Sequence, residues 1–151
     1  YSLLIPRLKY SGQILLAPLL AQLLADHLEG DDPPEAIIPV PLHWWRQWWR
    51  DFNQAEEIGT ALGELTGIPC DTRLLRRIRA TPQQTRLSAG QRRRNLRGAF
   101  QIAPHSYRHV ALLDDVVTTG ATAGQLSRLL RKSGVEKVEV WALCRTQRHI
   151  K

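Results

Sequence analysis

The sequence predicts an α/β domain built on a mainly parallel central sheet flanked by helices, and three observations carry that prediction. Val110-Ala111-Leu112-Leu113 is an unbroken apolar run, as expected of a strand buried on both faces. Ala36–Val40 and Val138–Cys144 are two further strand-like runs, the latter expected to be a last buried strand. Helical stretches fall between these runs, and strands alternating with helices imply parallel pairing. At 151 residues, the chain is expected to be one domain, 1–151, able to bury roughly 70% of its unfolded surface.

Taken in order, Ser11 to Glu29 is rich in Leu and Ala, and Pro18 suits the first turn of a helix running to about Glu29. Its apolar residues lie most of the way round, so burial against other elements is expected. Gly30-Asp31-Asp32-Pro33-Pro34 breaks it. Ala36 to Pro41 reads as a short strand, confined by two prolines to a sheet edge or to an early stop. In the stretch that follows, Trp44/Trp48 and Trp45/Trp49 would stack at i,i+4 on a helix, beside Arg46 and Arg50. That stripe is either a platform for a partner or for nucleic-acid bases, or a surface covered by an N-terminal segment or by the second subunit of a homodimer. Coverage is the expectation, because four tryptophans in water would form a large apolar patch.

Asn53 is a good N-cap with Glu56 three residues on, and Ala55, Ile58, Leu62 and Leu65 share one helical face. Gly67 should end that helix, with Pro69 beyond it. Arg73–Arg79 suits a strand. Thr81-Pro82-Gln83-Gln84 opens an Arg-rich segment in which Ser88 and Gln91 form a capping box for a short helix to about Leu96. Residues 80–98 have the composition of a mobile basic lid that closes over phosphates. Ala99–Ile102 returns to strand. A helix from Ala123 to Lys132 follows the Val110–Leu113 strand and stops at Ser133-Gly134.

The net charge is +7 with a pI near 10.1, and the excess is local. From Thr72 to Leu113 there are ten arginines and no Asp or Glu. Such a face seeks phosphates, on a small ligand or on nucleic acid; a solvated basic surface is the plain alternative. Cys70 and Cys144 fit no metal spacing and read as buried free thiols in a reducing cytoplasm. No apolar run approaches the ~20 residues of a membrane span, and no signal peptide is visible. The sequence has no methionine and opens in mid-pattern at Tyr1, so the expectation is a fragment lacking an N-terminal part.

Chemistry concentrates after Leu113. Asp114 and Asp115 stand where the strand should end, and Val116, Val117, Thr118, Thr119, Gly120, Ala121 and Thr122 lead into the next helix. A strand, a tight loop with a conformationally free glycine and a helix N-terminus make an anion cradle. The phosphate is expected on Thr118–Thr122. Two carboxylates repel phosphate, so they should face hydroxyls or a cation, and a sugar phosphate with a free diol supplies both. A bare strand–turn–helix junction, or a Mg²⁺-binding acidic pair at a strand end, are the rival readings.

This stretch resembles the phosphoribosyl pyrophosphate (PRPP) loop of type I phosphoribosyltransferases. In that family the acidic pair binds the ribose 2′- and 3′-hydroxyls and the loop amides hold the 5′-phosphate. The resemblance assigns those roles to Asp114 and Asp115, and to the loop through Thr122. Three further stretches are similar to the ComF/GntX group of phosphoribosyltransferase-like proteins. The first is Pro39, Pro41, Leu42, Arg46, Arg50, Phe52, Asn53, Gln54 and Ala55. The second is Thr81–Gln84 and Leu87 with Arg92 (or Arg93), Asn95, Leu96, Ala99 and Phe100. The third is Val140–Thr146. Asp51 stands where the group usually has Gly, which puts the local turn, or a pyrophosphate contact there, in doubt.

What the resemblance implies is a type I phosphoribosyltransferase-like fold and a link to DNA uptake or to the use of DNA as a nutrient. It implies Mg²⁺ bound with PRPP, and zinc only in a Cys-rich N-terminal segment absent from this chain. Pyrophosphate would lie near Pro41, Leu42 and His43 with Arg46 or Arg50, and Arg86 of the lid would join Asp114 and Asp115 in catalysis. A lone histidine such as His43 is more often structural. No general base is evident, so the acceptor is unnamed. Three functions compete: an enzyme moving phosphoribosyl to or from a nucleobase, a PRPP- or nucleotide-binding module without turnover, and a DNA-uptake factor that holds single-stranded DNA or other uptake proteins.

Overall fold

A computed structural model describes residues 16–28, 30–41, 53–78, 98–117 and 120–145. Eight elements follow in chain order: α1 (Ala17–Ala25), β1 (Ala36–Pro39), α2 (Gln54–Thr66), β2 (Leu75–Arg77), β3 (Phe100–Ile102), β4 (His109–Val117), α3 (Ala121–Lys132) and β5 (Lys137–Arg145). The sheet among them has the order β1-β4-β5, with both pairings parallel. β2 and β3 form a separate antiparallel ribbon with Arg76 opposite Gln101. The α/β prediction with a mainly parallel sheet holds.

β4 is central because its apolar run serves two cores at once. Alternate residues of a strand point to opposite faces. Val110 and Leu112 pack with Ala123, Leu126 and Leu130 of α3 and with Phe100 of β3. Ala111 and Leu113 pack with Leu20 of α1, Ile58 and Leu62 of α2, and Ile37 of β1. Burying a Leu or Ile side chain fully is worth about 1.5–3 kcal/mol, so these two clusters dominate the apolar driving force.

β1 ends early, as its prolines predict. It pairs from Ala36↔Val110 to Pro39↔Leu113, and Val40 N–H then donates to Leu113 O at 2.8 Å. On its other side, among the described residues, it makes an isolated parallel bridge, Ile37↔Cys70. At the opposite end, Glu35 Oε2 accepts hydrogen bonds from the backbone amides of Arg108 and His109, closing the entry to β4.

Several boundaries differ from the sequence expectation, each for a local reason. Pro18 does sit in the first turn of α1, but the helix stops at Ala25 rather than near Glu29. His27 N–H bonds Leu24 O and Leu28 N–H bonds Ala25 O, so the chain tightens to i→i−3 turns. The helix is also less enclosed than expected, with Leu19 49% exposed. In α2, Asn53 caps as expected, but its Oδ1 accepts from Ala55, the second helical residue, and not from Glu56 as a capping box requires. Gly67 closes the helix at φ 75°, as expected. Leu65, 50% exposed, leaves the core face; Ile68, beyond the cap, packs there instead.

β2 is shorter than the Arg73–Arg79 run because Asp71 Oδ1 accepts from the amides of Arg73 and Leu74, holding a turn ahead of the strand. β5 is longer than expected but only partly buried. Trp141 is its one buried residue and Val140 is 44% exposed. The two cysteines are free and half-buried. The Trp44–Trp49 stripe, the Ser88–Leu96 helix and all of the 80–98 segment except Gly98 lie outside the described residues.

Candidate functional site

The carboxyl ends of β1 and β4 meet where their pairing stops. β4 does not end at Leu113 as the sequence suggested. It continues through Asp114 and Asp115 to Val117, paired with β5 through Asp114↔Ala142, Val116↔Cys144 and Val117↔Arg145. Among the described residues β1 pairs no further than Leu113, whose carbonyl accepts from Val40 N–H. The carboxyl ends of parallel strands are the position at which α/β sheets bind ligands.

The acidic pair sits on the stretch of β4 beyond its pairing with β1. Strand alternation places Asp114 with Leu112 and Val116 on the α3 face, and Asp115 with Leu113 on the face covered by α1 and α2. Asp114, Val116, Val117, Gly120, Ala121, Thr122 and Ala123 line a concavity of about 50 Å³ at the start of α3. Asp115 folds forward, its Oδ1 accepting from Val116 N–H at 2.8 Å.

Gly120 converts the strand exit into a helix start. It is the N-cap of α3 with φ 72° and ψ 4°, and its carbonyl accepts from Gly124 N–H at 2.8 Å. That bond brings the helix in at Ala121, two residues before the expected Ala123. A Cβ at Gly120 would meet nothing within 4 Å, so the glycine is required by its backbone conformation and not by crowding. The first turn of α3 contains no acidic residue and no side-chain cap, and Arg131 and Lys132 occupy its last turn. The helix dipole therefore favours an anion at the end that faces the concavity.

Of the residues expected to act, the structure brings Asp114, Val116, Val117, Gly120, Ala121 and Thr122 together, with Asp115 on the opposite face. Pro41 follows β1 at the same end of the sheet. Thr118, Thr119, Leu42, His43, Arg46, Arg50 and Arg86 lie outside the described residues. Ala123 in the concavity and Gln54 at the start of α2 were not singled out as site residues. Each sits at a helix start whose position depends on the strand before it.

Parallel pairing about β4, the concavity at its carboxyl end and the glycine-entered helix after an acidic pair define a type I phosphoribosyltransferase-like fold. The solved structure of the allosteric regulatory enzyme of purine biosynthesis shares that architecture with a TM-score of 0.57 at 21% identity, covering 84% of this chain and 25% of that one. The chain is 44% identical over 154 residues to competence protein F of Haemophilus influenzae, covering 95% of this chain and 67% of that protein. It is 41% identical over 152 residues to DNA utilization protein YhgH of Escherichia coli O157:H7, covering 96% of this chain and 67% of the relative. The chain belongs to this ComF family of phosphoribosyltransferase-like, competence-related proteins. No family model matches it.

Proposed function

We propose that this domain binds PRPP with Mg²⁺ and transfers phosphoribosyl to or from a nucleobase, in the service of DNA uptake or of the use of DNA as a nutrient. The observation that carries the proposal is the acidic pair near the carboxyl end of β4, followed by the glycine-entered start of α3 whose first turn holds no acidic residue. Carboxylates accept hydroxyl protons and a helix start takes phosphate, so a ribose 5-phosphate matches the site at both ends.

In such a transfer the bond from ribose C1 to pyrophosphate breaks, the bond from C1 to a base nitrogen forms, and the pyrophosphate leaves with the bonding pair. Asp114 and Asp115 hold the ring while positive charge develops on it. The first turn of α3 fixes the 5-phosphate against rotation. Among the described residues no group of three His, Cys, Asp or Glu side chains could hold a metal ion. Mg²⁺ commonly binds through substrate phosphates with one or two carboxylates, and Asp114 and Asp115 are the carboxylates proposed here. Mg²⁺ would supply charge neutralisation on the leaving pyrophosphate. Zinc has no proposed role in these residues.

Pyrophosphate release from Mg²⁺–PRPP across a panel of nucleobases tests the proposal. Release with one base identifies the acceptor, and binding without release with any base leaves a PRPP-binding module.

A second reading rests on the ten arginines between Thr72 and Leu113 and on the relatives' names: the basic face holds single-stranded DNA. The logarithm of affinity should then fall with the logarithm of salt at a slope of about −0.7 per phosphate contacted. Ala at Arg92, Arg93 and Arg94 should lower the magnitude of that slope by up to ~2 units if all three touch phosphates. Loss of all oligonucleotide binding in the parent by ~150 mM salt removes this reading.

A further inference from the structure

Gln54 opens α2 and is only 3% exposed, yet among the described residues its Nε2 has no hydrogen-bond partner. A buried donor without an acceptor gives up its hydration and gains nothing, and folded proteins keep such groups only where something else requires them. Met would fill the same volume without that cost.

Two hydrogen bonds place the start of α2, where Gln54 stands, beside β4. Asn53, the residue before it, donates from Nδ2 to Val40 O at 3.2 Å, and Val40 N–H donates to Leu113 O at 2.8 Å. The start of α2 is thereby tied to the last residue of β4 that β1 still pairs, one position before Asp114. α2 covers the face of β4 that carries Ala111 and Leu113, and alternation puts Asp115 on that face. The Asp115 carboxylate, which only accepts, and the buried carboxamide donor of Gln54 thus both belong to the α2 side of β4, near the corner where β1 stops pairing.

A sugar hydroxyl is the group that needs both, because it donates one proton and accepts at its lone pairs. A phosphate does not suit the corner, since Glu56 and Glu57 occupy the first turn of α2. We propose that Gln54 is a specificity-determining residue for the ribosyl diol: its Nε2–H donates to the oxygen of the hydroxyl whose proton is held by Asp115. This rests on the phosphoribosyl reading of the site, and adds to it the means of telling a ribosyl from a deoxyribosyl group. Asp114, on the other face, takes the second hydroxyl, so the ring straddles β4.

The test compares the parent with Gln54→Met and Gln54→Glu by calorimetry. The ligands are ribose 5-phosphate, its 2-deoxy and 3-deoxy analogues, and inorganic phosphate. The parent should prefer ribose 5-phosphate to at least one deoxy analogue. Both variants should lose about three- to tenfold of that preference, the worth of one neutral hydrogen bond, with phosphate affinity unchanged. Gln54→Met should melt no lower than the parent, because an unpaired donor has been removed. A lower melting temperature for Gln54→Met would show that the donor is paired without ligand and overturn the proposal. Equal preference in parent and variants overturns it as well, while leaving the phosphoribosyl reading intact. A parent that binds phosphate but no sugar phosphate sinks both.

Discussion

The amide of Val116 donates a 2.8 Å hydrogen bond to Oδ1 of Asp115, the residue immediately before it. Asp115 is held along its own backbone, whereas Asp114 faces the concavity at the start of α3. Two carboxylates adjacent in sequence therefore differ in surroundings: Asp114 lines the concavity at the start of α3, and Asp115 lies on the α2 side.

Asp114→Asn with Asp115→Asn should weaken PRPP far more than inorganic phosphate, because the diol contacts go while the helix start remains. Hydrogen bonds to charged groups are worth about 1.5–3 kcal/mol each, so each substitution should cost roughly 10- to 100-fold. Calorimetry with both ligands measures the difference. Equal losses for PRPP and phosphate would remove the acidic pair from the diol.

Gly120 tests the phosphate end. Its left-handed conformation costs an ordinary L-residue about 1–2 kcal/mol, and nothing crowds the added carbon. Gly120→Val should leave a folded domain that no longer holds phosphate, and Gly120→Asn should retain much of the affinity, since Asn tolerates this conformation. Phosphate titration beside a thermal melt separates the two effects. Undiminished affinity in Gly120→Val would place the phosphate elsewhere.

Gly59 and Gly63 lie one turn apart on α2, and the sequence does not distinguish them. A Cβ at Gly59 would come within 2.9 Å of Cys70 Sγ and 3.2 Å of Leu113 Cδ2; one at Gly63 would come within 2.7 Å of Ile68 O. Gly59→Ala should cost about 1–3 kcal/mol and be partly restored by Cys70→Ala, which vacates the sulfur's space. Gly63→Ala meets backbone, so the same second substitution should not restore it. A denaturant-based double-mutant cycle reads the coupling. Zero coupling between positions 59 and 70 would mean that Leu113 alone sets the limit.

Glu35 gives the acid limb of stability a defined component. The backbone amides of His109 and then Arg108 hold its carboxyl below the ordinary value of 4.5. A carboxyl depressed on folding contributes stability that is complete above its unfolded value and is lost as pH falls through the folded one. Melting temperature should therefore drop as the pH is lowered past about 4.5, and Glu35→Gln should flatten that drop. Parallel acid limbs in parent and variant would mean that the two hydrogen bonds do not persist in solution.

The sequence carried more of the fold than of the site. The apolar run Val110–Leu113 announced a doubly buried strand, and its alternate residues do enter two separate cores. Pro39 and Pro41 announced the early end of β1, because a residue without an N–H cannot extend a ladder. Asn53 and Gly67 marked both ends of α2. These signals are legible because each depends on the conformational limits of one residue or on a short-range periodicity.

The tertiary structure decided how far β4 runs and what its carboxylates face. Local sequence marks a strand end at Asp114 because charge follows apolar residues. β5 nevertheless keeps pairing to Val117, since a ladder lasts as long as its neighbour stays alongside. Strand alternation then sends Asp115 to the α2 face. Gln54 shows the limit most clearly. Its place in a capped helix was readable from Asn53, but its burial and the place of the α2 start beside β4, through Asn53–Val40 and Val40–Leu113, follow from the tertiary packing.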